Sequence, residues 1–171
     1  MATTAAGTPY VESSDLVANY PGVSLALANH IDTLGKVLQV VRATDSTDRS
    51  TTATSMVDVT GMSVTITPSR NTSAILLIST FRSLVSTNDN YIVFQLTDAS
   101  NVAISGAQSG AFGSSAAGAT LINTLTIIGY ATPATISATT YKLRFRSNYG
   151  AVVTIQNNSN TGQVFAIEVA A

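Results

Sequence analysis

From residue 36 onward, apolar and polar residues alternate with a period of two, the spacing of a strand that buries one face. The clearest case is Tyr141, Leu143 and Phe145 interleaved with Lys142, Arg144 and Arg146. One strand face is apolar and the other cationic. Ser147-Asn148-Tyr149-Gly150 then tolerates a turn, with Gly150 free to take positive φ. Val152, Val153 and Ile155 begin a β-branched return. Residues 140–156 are therefore expected to form a β-hairpin. Further strands are expected at 37–43, 56–59, 62–67, 74–81, 91–97, 102–104, 121–130 and 164–169.

The individual strands differ in character. Residues 74–81 are almost continuously apolar, as in a central strand buried on both faces. In 91–97, Tyr91, Val93 and Gln95 take one face and Ile92, Phe94 and Leu96 the other. Gly61 splits 56–59 from 62–67, and Pro68 ends the latter. Residues 105–119, nearly all Gly, Ala and Ser around Phe112, are expected to be a mobile surface loop. Residues 44–54 read as a Ser/Thr/Asp loop. About nine or ten strands with no helix between them exclude alternating βα folds. The fold class expected is all-β: an antiparallel β-sandwich or jelly roll, occupying 36–171.

The N-terminal segment, 1–35, has another pattern. Its first residues are small and polar and read as extended or disordered on their own. Leu27, Ile31 and Leu34 fall at i, i+4 and i+7, one stripe of a short helix over 23–34 that Gly35 stops. Twelve residues make a marginal helix in water, so the stripe needs a partner. Leu27, Ile31 and Leu34 are thus the candidate assembly and anchoring residues.

Composition narrows the picture. Only 10% of the 171 residues are charged, against roughly 25% in soluble domains, and the net charge is -1. That gives no steering toward nucleic acid and no attraction to anionic lipid. No apolar run reaches the ~20 residues of a bilayer-spanning helix, so no membrane insertion is expected. There is no cysteine, hence no disulfide and no thiolate metal site. Residues 1–9 lack the basic and apolar regions of a secretory signal. Low charge, together with the apolar strands 74–81 and 121–130, predicts a homotrimer in which part of each subunit is covered.

Candidate chemistry is sparse. His30 is the single histidine and sits on the N-terminal helix, apart from any Ser–His–Asp grouping. Asp45 and Asp48 lack the ordered oxygen ligands of a calcium loop and read as solvated carboxylates. Asp58, Asp89 and Asp98 read as turn formers. Gly106, Gly110, Gly113 and Gly118 do not fit a phosphate loop. No catalytic residue, metal ligand or cofactor site is assigned, and no enzyme activity is expected. Lys142, Arg144 and Arg146 are a candidate face for an acidic polymer or for ion pairs to a neighbouring strand or subunit.

Three stretches carry a resemblance. Residues 9–32, running Pro-Tyr-Val-Glu-Ser-Ser-Asp-Leu through Asn-His-Ile-Asp, resemble the leader of small minor tail and tail-fibre-like proteins of tailed bacteriophages. Gly35-Lys-Val-Leu-Gln-Val-Val41 with Val64-Thr-Ile-Thr-Pro68, and Pro133-Ala-Thr-Ile-Ser-Ala-Thr-Thr-Tyr-Lys142 with Ala166-Ile-Glu-Val-Ala-Ala171, are similar to phage virion proteins that end in a trimeric β-sandwich. The resemblance implies a virion structural subunit of tail, baseplate or fibre tip, anchored through 1–35 to other virion proteins and facing outward, with a host surface glycan as a further candidate partner. A capsid decoration or head-fibre protein of the same build is the alternative, and a polysaccharide-degrading tail enzyme the reading from another class. The chain has no collagen-like repeat or long coiled coil, which favours a compact knob over a long shaft.

Overall fold

The chain's computed structural model describes residues 2–3, 9–10, 22, 24–27, 37–86, 90–114 and 120–170. Two short strands, β1 (Ala2–Thr3) and β2 (Pro9–Tyr10), pair with each other. Ten strands follow residue 36. They are β3 (Val37–Asp45), β4 (Arg49–Thr51), β5 (Val57–Ile66), β6 (Ala74–Val85) and β7 (Asn90–Asp98), then β8 (Ala103–Ser114), β9 (Leu121–Ala131), β10 (Thr139–Ser147), β11 (Val153–Ile155) and β12 (Gly162–Val169).

All pairings are antiparallel, and the strands form two layers. One has the order β5-β10-β7-β8. The other runs β3-β12-β6-β11-β4, with β9 along the far side of β6. With β4 and β11 set aside, four strands face four, β3-β12-β6-β9 against β5-β10-β7-β8. This is the two-layer arrangement of a jelly roll, and the expected all-β class holds.

The core lies between the layers, where the inward residues of each alternating strand meet. Phe81 of β6 and Phe94 of β7 touch across it, ring centroids 4.6 Å apart at 54°. Leu77, Ile75, Leu96, Leu143 and Phe145 pack around them, all at most 2% exposed. Burying each such side chain contributes roughly 1.5–3 kcal/mol.

Several expectations need correction. The stretch 140–156 is not a hairpin. β10 pairs with β5 and β7, whereas β11 pairs with β4 and β6 in the opposite layer. The turn at Gly150, φ +81°, carries the chain across the sandwich. Residues 57–66 form one strand, and Gly61 at φ +92° bends it where its register on β10 shifts. The loop expected at 105–119 contains most of β8, a full partner of β7. Small side chains are required there: a Cβ on Gly129 of β9 would stand 2.9 Å from the Cβ of Ala107, which is itself fully buried. Within 44–54, residues 49–51 pair as β4, and Asp45 is buried.

Residue 22 and residues 24–27 are helical, so Leu27 lies on a helix and is partly exposed. Ile31, Leu34, His30 and Asp89 lie outside the described residues.

Candidate functional site

The two outer faces of the sandwich differ in chemistry. On the four-stranded layer, β10 alternation turns Lys142, Arg144 and Arg146 outward, as its sequence pattern requires. Asp58, expected in a turn, instead lies in β5 directly opposite Arg144. Lys142 Nζ donates to Asp58 Oδ2 at 2.8 Å and Arg144 Nε to Asp58 Oδ1 at 2.8 Å. The hydrogen bond from Lys142 holds the Asp58 carboxyl below its ordinary range; burial opposes this, and Arg144 adds to the lowering. The Asp58 side chain is 46% exposed, so these pairs order the face more than they stabilise the fold. Arg146 Nη1 donates to Asn148 Oδ1 at 3.0 Å. The cationic strand is thus an ion-paired face, its cross-strand neighbours being Ser63, Thr97, Gln95 and Val93.

The outer face of the six-stranded layer is apolar. Cross-strand register stacks its residues in rows over β3, β12, β6 and β9. One row is Val40, Ile167, Leu76 and Tyr130; the next is Arg42, Phe165, Ile78 and Ile128. Val40, Ile128 and Tyr130 are 57%, 59% and 58% exposed. Arg42 lies over the Phe165 ring, 5.7 Å from its centroid, and covers part of it with its cation. A third row, Thr44, Gln163, Thr80 and Thr126, is polar and uncharged. No acid stands in these rows, because Asp45 of β3 and Glu168 of β12 are buried on the inward side. The sequence marks this surface only through 74–81 and 121–130, whose both-sided apolarity was legible. The contributions of β3 and β12 follow from register.

Two inward polar clusters hold the layers' ends. Asn157 Nδ2 donates to Asp45 Oδ2 at 3.0 Å, and Arg49 Nη2 lies 3.4 Å from Asp45 Oδ1. Asp48 Oδ1 accepts the Asn158 N–H at 2.9 Å. These carboxylates are structural ties, not the free loop acids expected. Glu168, fully buried, accepts from Gln39 Nε2 at 2.6 Å and from both the N–H and the hydroxyl of Ser69 at 2.8 and 2.7 Å. Among the described residues, no group of three or more His, Cys, Asp or Glu could hold a metal ion.

Compared with known proteins, the chain matches no family model and no curated protein. Among solved structures it is similar to the PRD1 vertex protein P5, with a TM-score of 0.41 and 14% identity over 80% of this chain and 100% of that one. It is also similar to a VP2 protein of infectious bursal disease virus, with a TM-score of 0.40 and 14% identity over 77% of this chain and 36% of that one. Scores this low reflect a loosely shared β-architecture and say nothing of function.

Proposed function

We propose that this chain is a structural subunit of a tailed-phage particle that assembles with copies of itself through the outer face of β3, β12, β6 and β9. The observation that carries the self-assembly is the contrast between the two outer faces. One is charged, ion-paired and suited to water. The other has two rows that are apolar but for Arg42, whose cation lies over the Phe165 ring, edged by an uncharged polar row, the apolar core and polar rim of a protein interface. A second copy suits this face because a net charge of -1 imposes little repulsion between subunits. The resemblance of 35–41 with 64–68, and of 133–142 with 166–171, to phage virion proteins with trimeric sandwiches supports three copies, and that of the leader to minor tail proteins supports a place on the virion.

In this reading, residues 1–35 attach the subunit to another virion protein at tail tip, fibre or baseplate. The ion-paired face of β10 points outward, and host attachment is its role on the particle. A head-fibre or capsid-decoration position would use the same surfaces; imaging the labelled protein on intact particles separates the two. The reading assigns no catalytic step, and a rise in reducing ends when the protein is incubated with host envelope polysaccharide would overturn that.

The deciding experiment is sedimentation equilibrium of the purified chain. A trimer mass at micromolar concentration is expected, and a monomer mass under the same conditions refutes the self-assembly.

A further inference from the structure

A cavity of about 360 Å³ opens at one end of the sandwich, between the β7–β8 turn and the segment that joins β9 to β10. Its volume falls within the range of small-molecule sites, roughly 300–1,000 Å³. Two side chains define its floor. Tyr141 and Asp98 are directly opposite each other in the β10–β7 ladder, so their side chains leave the sheet on the same side. Both line the cavity.

Tyr141 is 1% exposed and reaches the cavity from the core. Burial, with the Asp98 charge adding, raises its pKa above the ordinary value, so the phenol keeps its proton and remains a donor. Asp98 Oδ1 accepts the Val102 N–H at 2.9 Å, which fixes the carboxylate at the cavity wall. A donor and an acceptor thus face one space without bonding each other. A ligand hydroxyl placed between them would accept from Tyr141 and donate to Asp98.

The walls restrict the ligand further. No Lys or Arg lines the cavity, so nothing there neutralises a phosphate or carboxylate. Thr132, Thr135 and Thr139 add hydroxyls, while Ala103, Ile104, Ala131 and Pro133 add apolar wall. Apolar walls beside a carboxylate, a phenol and several hydroxyls suit a molecule with both C–H faces and O–H edges. Ala134, in the wall segment, is held at φ +51°, a conformation that L-residues other than Asn, Asp and Gly rarely take. Such outliers cluster at ligand sites.

We propose that this cavity binds one uncharged sugar residue, with Asp98 and Tyr141 sharing a sugar hydroxyl and the apolar walls meeting its C–H faces. The site rests on the virion reading only for the sugar's source, a host envelope polysaccharide. Purified protein suffices for the test, so its failure would leave self-assembly untouched.

The probes are methyl glycosides of glucose, galactose, mannose and N-acetylglucosamine at tens of millimolar, with glucuronate and glucosamine as charged controls. Binding is followed by chemical-shift titration of the full chain. At least one neutral glycoside is expected to bind and to move the amides of Ala103, Ser105, Ala131 and Thr135. Tyr141→Phe keeps the core ring, and Asp98→Asn keeps the acceptor for Val102. Each should weaken binding about tenfold, the loss of one good hydrogen bond. No neutral glycoside binding, binding confined to the charged controls, shifts elsewhere on the protein, or affinity unchanged in both variants would each overturn the proposal.

Discussion

Glu168 and Ser69, 99 residues apart in sequence, are joined by two hydrogen bonds, one from the backbone N–H and one from the hydroxyl of Ser69. They tie the segment after β5 to β12, and Gln39 brings β3 into the same knot. Burial pushes the Glu168 carboxyl up. The donors Ser73, Gln39 and Ser69 outweigh that and hold it at about 2, although the Ser73 hydroxyl forms no well-shaped bond of its own. The folded pKa lies below the unfolded value of 4.5. The stabilisation is therefore complete above about 4.5 and is lost as the pH falls toward 2.

The first prediction follows. Thermal melts between neutral pH and pH 2 should show stability falling below pH 4.5 in the native chain, and falling much less in Glu168→Gln. At neutral pH the same substitution should cost about 1–3 kcal/mol, the worth of charge-assisted hydrogen bonds to a buried group. Parallel acid profiles for the two proteins would show that Glu168 is not the group responsible.

Ile128 tests the apolar face. It is 59% exposed and pairs with Ile78, so Ile128→Lys should change subunit stability by no more than about 0.5 kcal/mol. It adds a second cation to the row that already holds Arg42 and should weaken self-association at least tenfold in sedimentation. The same change at Ile136, 64% exposed and outside those rows, should leave association as it was.

Gly61 and Gly162 are held open by the polar cluster. A Cβ at Gly61 would meet Asp45 Oδ1 at 2.7 Å and would also have to accept φ +92°. A Cβ at Gly162 would meet the Asn157 amide at 2.6 Å. Gly61→Ala and Gly162→Ala should each destabilise by about 1–3 kcal/mol in urea titrations. Gly22→Ala, with nothing near its Cβ position, should not destabilise the sandwich.

The leader supplies the fourth prediction. Replacing Leu27 and Ile31 by Asp should leave the sandwich melting unchanged and abolish incorporation into particles. Normal occupancy of the doubly substituted protein on purified virions would remove the leader from the anchoring role.

How far the sequence reveals these features depends on how local their causes are. β10 and β7 were legible because strict alternation is written into neighbouring residues. β8 was not, since Gly, Ala and Ser carry little strand preference. That strand exists because β7 pairs with it and because Gly129 needs a small neighbour in Ala107. The false hairpin at 140–156 has a related origin: alternation identifies two strands but does not state which layer each joins. The Lys142–Arg144–Arg146 face was legible as cations, yet its partner Asp58 lies 84 residues from Lys142. Asp45 looked solvated because the side chain that shelters it, Asn157, is 112 residues away. The Asp98–Tyr141 pairing likewise depends on register, which no local pattern supplies.

β12 is the last strand in the chain order, but it lies between β3 and β6 and pairs with both. A ribosome making this protein therefore produces the flanks of that layer long before its middle. Until residue 169 has left the exit tunnel, β3 and β6 have no common neighbour, and the Glu168 knot cannot form. Closure of that layer is thus deferred until β12 has emerged. The apolar face, whose rows run through Phe165 and Ile167, is completed at that same moment, so no apolar surface of this kind is offered to other molecules before β12 is in place.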